Sequence, residues 1–112
     1  MTDCLFCRMV GGAIKPDIVF ENDHILAFND ISPQAPVHVL VIPKIHIATL
    51  NDLNDTRLGG EMLEVTASLA TQLGIATDGY RTVFNCNTHG GQTVQHLHLH
   101  LLGGRQMSWP PG

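Results

Sequence analysis

Basic residues are scarce in this chain: lysine and arginine together number 6, against 10 aspartates and glutamates. The formal charge of −4 leaves no cationic face to neutralise a run of phosphates, which argues against binding a nucleic-acid polymer. A single nucleotide can still be held by backbone amides and imidazoles. Apolar runs are short as well. Val39 to Ile42 is as long as any of them, far below the ~20 residues of a spanning helix, so no membrane segment is expected. The opening Met1-Thr2-Asp3-Cys4 has no basic region leading into an apolar stretch, and no signal peptide is expected. Cysteine is limited to 3, an odd count that suits a reducing compartment better than a disulfide framework. The cytoplasm is therefore the expected location. Charged residues make up only 14% and apolar ones 44% of the 112 residues. That composition excludes disorder and fits one globular domain over residues 1–112.

What the chain does have is histidine, 7 in all, with three concentrated in Gln92-Thr93-Val94-Gln95-His96-Leu97-His98-Leu99-His100-Leu101-Leu102. Side chains alternate along a strand, so His96, His98 and His100 share one face and Leu97, Leu99 and Leu101 the other. A helix would scatter the imidazoles, and the pattern predicts a strand. Gly90-Gly91 and Gly103-Gly104 bound it with turn residues. A row of side chains titrating near neutrality is a poor core but a good acid–base or ligand array. This stretch is the candidate active site.

The rest of the chain reads as α+β. Cys4 to Val10 predicts a short helix with Phe6, Met9 and Val10 as its apolar stripe. Strands are expected at Ile18–Glu21 and Ile25–Asn29, a proline-rich loop from Asp30 to Pro36, and a strand covered on both faces from Val37 to Ile42. Leu58, Met62, Val65, Leu69 and Leu73 form the stripe of one long helix, capped by Asp55 or Thr56 and closed at Gly74. Thr82 to Asn87 predicts a strand joined to the histidine strand through Thr88–Gly91, which brings Asn85 beside the imidazoles. The sum is an antiparallel sheet of about five strands with one long and one short helix. One long helix cannot cover both sheet faces, so apolar surface is left over, which marks an interface.

Two chemistries compete on the histidine strand. A His-x-His pair on one face can ligate a catalytic zinc; alternatively one imidazole is a nucleophile whose neighbours hold phosphate and donate a proton. The small-residue turn Gly90-Gly91-Gln92-Thr93 can form an anion-binding concavity, and no carboxylate follows to complete a zinc triad. Phosphorus chemistry fits better. Asp30 can accept two hydrogen bonds from a ribose diol, or serve only as a loop cap. Cys4 and Cys7 lie one helical turn apart, and with His46 and one of the clustered histidines they can form a tetrahedral structural zinc site; two small buried residues or a redox pair are the alternatives. Cys86 reads as a packed core thiol.

With these motifs in view the chain resembles the histidine triad (HIT) superfamily, in its Hint nucleotide-binding branch, over nearly its whole length. The resemblance rests on His96-x-His98-x-His100-Leu101-Leu102, Phe28-Asn29-Asp30-Ile31-Ser32-Pro33-Gln34-Ala35-Pro36-Val37-His38, Val41-Ile42-Pro43-Lys44, Gly90-Gly91-Gln92-Thr93-Val94, Gly103-Gly104-Arg105 and Trp109-Pro110-Pro111-Gly112. It implies a homodimeric purine nucleoside phosphoramidase that hydrolyses adenosine 5′-phosphoramidate and related aminoacyl or lysyl adenylates to AMP. A dinucleoside polyphosphate hydrolase, a nucleotidyl transferase or a nucleotide-binding adaptor are the alternatives. Among the catalytic residues His96, His98, His100 and His38, the resemblance makes His98 the nucleophile that becomes a nucleotidyl-histidine. His100 contacts phosphate and protonates the leaving amine, and His38 supports the triad. Asp30 binds ribose, Ile31 lies against the base, and Asn85, Gln92, Thr93 and Val94 line the phosphate side. Trp109 belongs to a tail that reaches the partner subunit's site. No cofactor is implied for catalysis. Bacterial members with a Cys-x-x-Cys pair bind zinc, and Cys4, Cys7, His46 and His96 match those ligands. Gln95 and Thr93 depart mildly from the branch, which commonly carries an aromatic residue and a serine there.

Overall fold

Leucines 97, 99 and 101 are wholly buried on one side of a five-stranded sheet, and that burial orients everything on its opposite side. The computed structural model describes residues 3–112. Its elements are helix α1 (Leu5–Val10), strands β1 (Ile18–Glu21), β2 (Ile25–Asn29) and β3 (Val37–Pro43), helix α2 (Thr56–Gln72), strand β4 (Tyr80–Phe84), the single-turn helix α3 (Asn87–Gly90) and strand β5 (Leu99–Gly103). A 3-10 turn spans Leu50–Asp52. The strands run β1-β2-β3-β5-β4, each antiparallel to its neighbour.

One face of the sheet presents Ile25, Ala27, Val39, Val41, Leu97, Leu99 and Leu101 to Leu58, Met62, Leu69 and Ala70 of α2. Helix α2 forms because Asp55 accepts hydrogen bonds from the free amides of Arg57 and Leu58. It stops in a paired C-terminal motif: Ile75 N–H bonds Ala70 C=O, Gly74 N–H bonds Thr71 C=O, and Gly74 has φ +76°. Ile75 then drops onto β5 at Gly103, where a Cβ would stand 2.5 Å from its Cδ1. The buried stripe differs from the expected one. Thr66 and Ala70 are buried, Val65 only partly so, and Leu73 is the exposed cap. Thr66 enters the core without penalty because its hydroxyl donates to Met62 C=O at 2.7 Å.

The other face carries Leu26, Phe28, Leu40 and Ile42, closed by Phe6, Met9 and Val10 of α1. This short helix covers part of the face the sequence left bare, although β4 remains an edge strand. Other expectations are corrected. The chain has a third helical segment, α3, beyond the one long and one short helix expected. The Thr82–Asn87 strand is corrected to Tyr80–Phe84, because its pairing with β5 ends at Phe84 opposite Leu99; Asn87 takes φ +58° at the first residue of α3. The histidine strand enters the ladder only at Leu99; His96 lies in a bend and His98 in the irregular segment that leads from it to the strand.

Candidate active site

The alternation of leucine and histidine holds outside the ladder as well as inside it. Leu97 is fully buried in the α2-facing core while His96 and His98 turn toward α1. His38 lies two strand positions from Leu40 on the same face, so β3 and β5 bring His38 and His100 together. The imidazoles are closer than strand spacing alone predicts. His98 and His100 have ring centroids 5.0 Å apart in an edge contact, and His38 and His100 are 5.2 Å apart, against about 6.6 Å for two residues along a strand.

Hydrogen bonds to the main chain fix the tautomers of His98 and His38, and His38 fixes that of His100. His98 Nδ1 meets the C=O of His96 at 2.7 Å. A carbonyl can only accept, so Nδ1 carries the proton and Nε2 is left with a free lone pair. Gln34 N–H donates to His38 Nδ1 at 3.0 Å, which places the His38 proton on Nε2. That atom lies 2.9 Å from His100 Nδ1, so His100 accepts there and carries its own proton on Nε2. Asp30 stands beside this pair, with Oδ2 3.5 Å from His38 Nε2 and Oδ1 accepting from Ser32 N–H at 2.8 Å.

Burial pushes the pKa values of His38 and His98 below the ordinary value; Asp30 opposes this for both, and the hydrogen bond to His96 C=O does so for His98. His100 falls to about 4, through burial first and then the neighbouring His98 and His38. The site therefore holds three neutral rings, one with a bare nitrogen and one with an outward N–H. Such a pair can attack a phosphorus centre and meet the charge that develops on it.

The first histidine of the row faces elsewhere. His96 is fully buried and donates Nε2–H to Pro43 C=O at 2.8 Å, so its bare Nδ1 points at the thiols of Cys4 and Cys7, 3.4 and 3.5 Å away. His46 Nδ1 lies 3.3 Å from Cys7 Sγ. One donor atom each from Cys4, Cys7, His46 and His96 falls within 4.8 Å of the others, close enough to hold a metal. Around a tetrahedral ion with bonds of about 2.3 Å to sulfur and about 2.0 Å to nitrogen, S···N separations come to about 3.5 Å, near those found. The carbonyl behind His96 is the outer partner that a metal-bound imidazole needs. Burial, with Cys4 beside it, pushes the Cys7 thiol above its ordinary value; a cation between the sulfurs reverses that balance. Asp30, His38 and His100 also converge within 4.8 Å, but the polarity is wrong for a metal. His38 Nδ1 accepts the Gln34 amide, so its Nε2 holds a proton where an ion would need a lone pair.

Other expected residues are placed as follows. Ile31 is fully exposed, and Asn85 is half-buried just past β4. Thr93 is exposed, and Val94 packs on the Phe6 cluster. Gln92 uses its amide on the loop itself, donating to Ala48 C=O and Val94 C=O and accepting from Asn87 N–H. Cys86 is half-buried at the start of α3. Trp109 is 81% exposed and lies over Arg81 of its own chain, whose guanidinium also donates to Ser108 C=O. Phe6, expected only as part of the apolar stripe of α1, stands edge-on to both His96 and His98 at 5.8 and 5.1 Å, a place at the site that sequence reasoning did not give it. Its position between the two cysteines was the available signal. A cleft of about 500 Å³ lined by His24, Lys44, Asp55 and Glu61 contains none of the clustered imidazoles.

Three histidines alternating with buried leucines as the chain enters an antiparallel sheet place it in the histidine-triad class. The chain belongs to that family: the HIT domain model matches residues 12–107. It is 49% identical to the purine nucleoside phosphoramidase of Escherichia coli strain K12 over 94% of this chain and 90% of that protein. It is 51% identical to an uncharacterized HIT-like protein of Synechococcus elongatus over 98% of this chain and 97% of the other. Among solved structures, a HIT family hydrolase from Legionella pneumophila superposes with a TM-score of 0.96 at 56% identity, covering 98% of this chain and 100% of that one. A histidine triad protein from Clostridium difficile gives 0.93 at 39% identity over 96% of both.

Proposed function

We propose that this protein hydrolyses the P–N bond of purine nucleoside 5′-phosphoramidates to the nucleoside monophosphate. The observation that carries the reading is the bare Nε2 of His98, fixed by the 2.7 Å bond of its Nδ1 to His96 C=O beside the His100 ring. The Escherichia coli relative's name supports the substrate class. In the first step His98 Nε2 forms a bond to the α-phosphorus as the P–N bond breaks, giving a nucleotidyl-histidine. The departing nitrogen takes a proton from His100 Nε2. An anionic phosphate against that ring raises its pKa from about 4, so the ring, already protonated at Nε2, takes up a second proton with substrate and returns to neutral when Nε2–H is donated; Asp30 offsets the added charge. Water then attacks phosphorus, the His98 bond breaks, and His100 Nε2 takes the proton from water. Asp30 and Ile31 would hold the nucleoside, and Asn85, Thr93 and Val94 the phosphate side. Gln92 would shape that loop, while His96 serves the metal and anchors His98.

We assign the four-residue cluster to structural zinc, which would be held by Cys4, Cys7, His46 and His96 and would tie α1 to the sheet. The edge strand β4 and the tail at Trp109 are the surface we propose for a homodimer, and residues 1–112 for a single domain working in the cytoplasm. Specificity constants over a panel of adenosine phosphoramidates and dinucleoside polyphosphates test the reading. Phosphoramidates should be preferred by at least about tenfold, roughly 1.4 kcal/mol of transition-state binding; a preference for dinucleotides would overturn it.

A further inference from the structure

The tautomer of the His38–His100 pair depends on one backbone amide, that of Gln34, and Gln34 is itself held from outside its loop. Arg105, just beyond β5, places Nε 3.2 Å and a terminal nitrogen 3.0 Å from Gln34 C=O. Both arms of a rigid guanidinium fork thus close on one oxygen. Gln34 Nε2 donates in turn to Ser32 C=O, and Ser32 N–H to Asp30. Beside the arginine, Gly104 has φ +91°, and a Cβ there would stand 2.8 Å from Cβ of Pro36. The β5 exit and the Asp30–Pro36 loop are therefore packed backbone to ring.

We infer that Arg105 is a positioning residue: by clamping Gln34 C=O it aims Gln34 N–H at His38 Nδ1 and so dictates which nitrogen of His100 presents a proton to the substrate. The chain of bonds is continuous. Arg105 fixes the Gln34 main chain, Gln34 N–H makes His38 Nδ1 an acceptor at 3.0 Å, and His38 Nε2–H makes His100 Nδ1 an acceptor at 2.9 Å. Without the clamp the amide can swing away. His38 can then protonate at Nδ1 instead, its Nε2 becomes an acceptor, and His100 flips to hold its proton inward at Nδ1. A ring in that form offers a lone pair, not an N–H, to the departing nitrogen. Neither Arg105 nor Gln34 needs to touch substrate for this effect. The catalytic consequence rests on the reading of His98 and His100 given above; the tautomer itself does not.

The test uses the full-length protein with Arg105→Gln and Arg105→Lys, and long-range proton–nitrogen NMR spectra of the imidazoles without substrate. The parent should show a bare Nδ1 and a protonated Nε2 on His38. Arg105→Gln should show a mixture, with Arg105→Lys between the two because one arm of the fork is restored. Turnover of adenosine 5′-phosphoramidate should fall about tenfold in kcat for Arg105→Gln, the rate factor of one lost charge-assisted hydrogen bond, with KM little changed. Gly104→Ala, which pushes the same loop from another side, should move both readouts the same way. Unaltered His38 signals in Arg105→Gln would overturn the inference. So would a rise in KM alone, which would make the arginine only a brace for the Asp30 loop. A parent enzyme inactive on phosphoramidates would count against the proposed reaction, while the NMR shift would still decide the role of Arg105.

Discussion

Phe6→Ala probes the coupling of α1 to the histidine face. The ring is 3% exposed and stands edge-on to Phe28, His98 and His96 at 5.5, 5.1 and 5.8 Å. Truncating a buried phenylalanine costs about 3–5 kcal/mol. For 112 residues the unfolding entropy is roughly 240 cal/mol/K, so a loss of about 4 kcal/mol lowers Tm by roughly 17 °C. Phe6→Leu should lose about 1 kcal/mol, and a cycle with Phe28→Leu should return a coupling of about 0.5–1.5 kcal/mol for the aromatic pair. Thermal unfolding is the assay, at fixed metal content because a bound ion stabilises by mass action. A drop in Tm below about 5 °C for Phe6→Ala would refute the view that α1 closes this face.

Three further outcomes are expected. Protein purified under reducing conditions should carry about one zinc per chain, and Cys4→Ala should lose the metal and melt markedly lower; metal-free protein never exposed to chelator would reject the assignment. His100 sits near 4 and His38 and His98 are also lowered, so the folded state binds fewer protons than the unfolded one below about pH 6.5. This contribution is whole above that pH and is lost as pH falls toward about 4. For the part-exposed His100 it amounts to about 1–2 kcal/mol after allowance for solvent, and denaturant midpoints that do not fall between about pH 7.5 and about pH 5 would contradict it. Deleting Ser108 to Gly112 should change selectivity among bulky leaving groups without dissociating the dimer; sedimentation showing a monomer at micromolar concentration would contradict the assembly.

Much of this was legible because burial imposes a period. Leu97, Leu99 and Leu101 had to point one way, so the histidines between them had to point the other. Cys4 and Cys7 were legible as a pair because one helical turn separates them, and His46 and His96 converge on that pair in space. Other features depend on tertiary partners that no local pattern encodes. Thr66 is buried because Met62 C=O is free to receive its hydroxyl, while Leu73 is exposed because the chain turns at Gly74. The end of β4 moves because its ladder partner β5 begins only at Leu99, opposite Phe84. The division of labour among the histidines was hidden for the same reason. His96 and His98 share a side of the chain, and only the carbonyls of Pro43 and His96 decide which nitrogen of each is bare. Arg105 and Gln34 look like ordinary loop residues in sequence and acquire meaning only through their contact.

The central claim is covalent catalysis by His98, and rapid quench of the protein with adenosine 5′-phosphoramidate tests it most directly. The account predicts an AMP adduct on His98 in the parent, and neither adduct nor appreciable turnover in His98→Ala. Undiminished turnover in that variant, or an adduct on another residue, would contradict it.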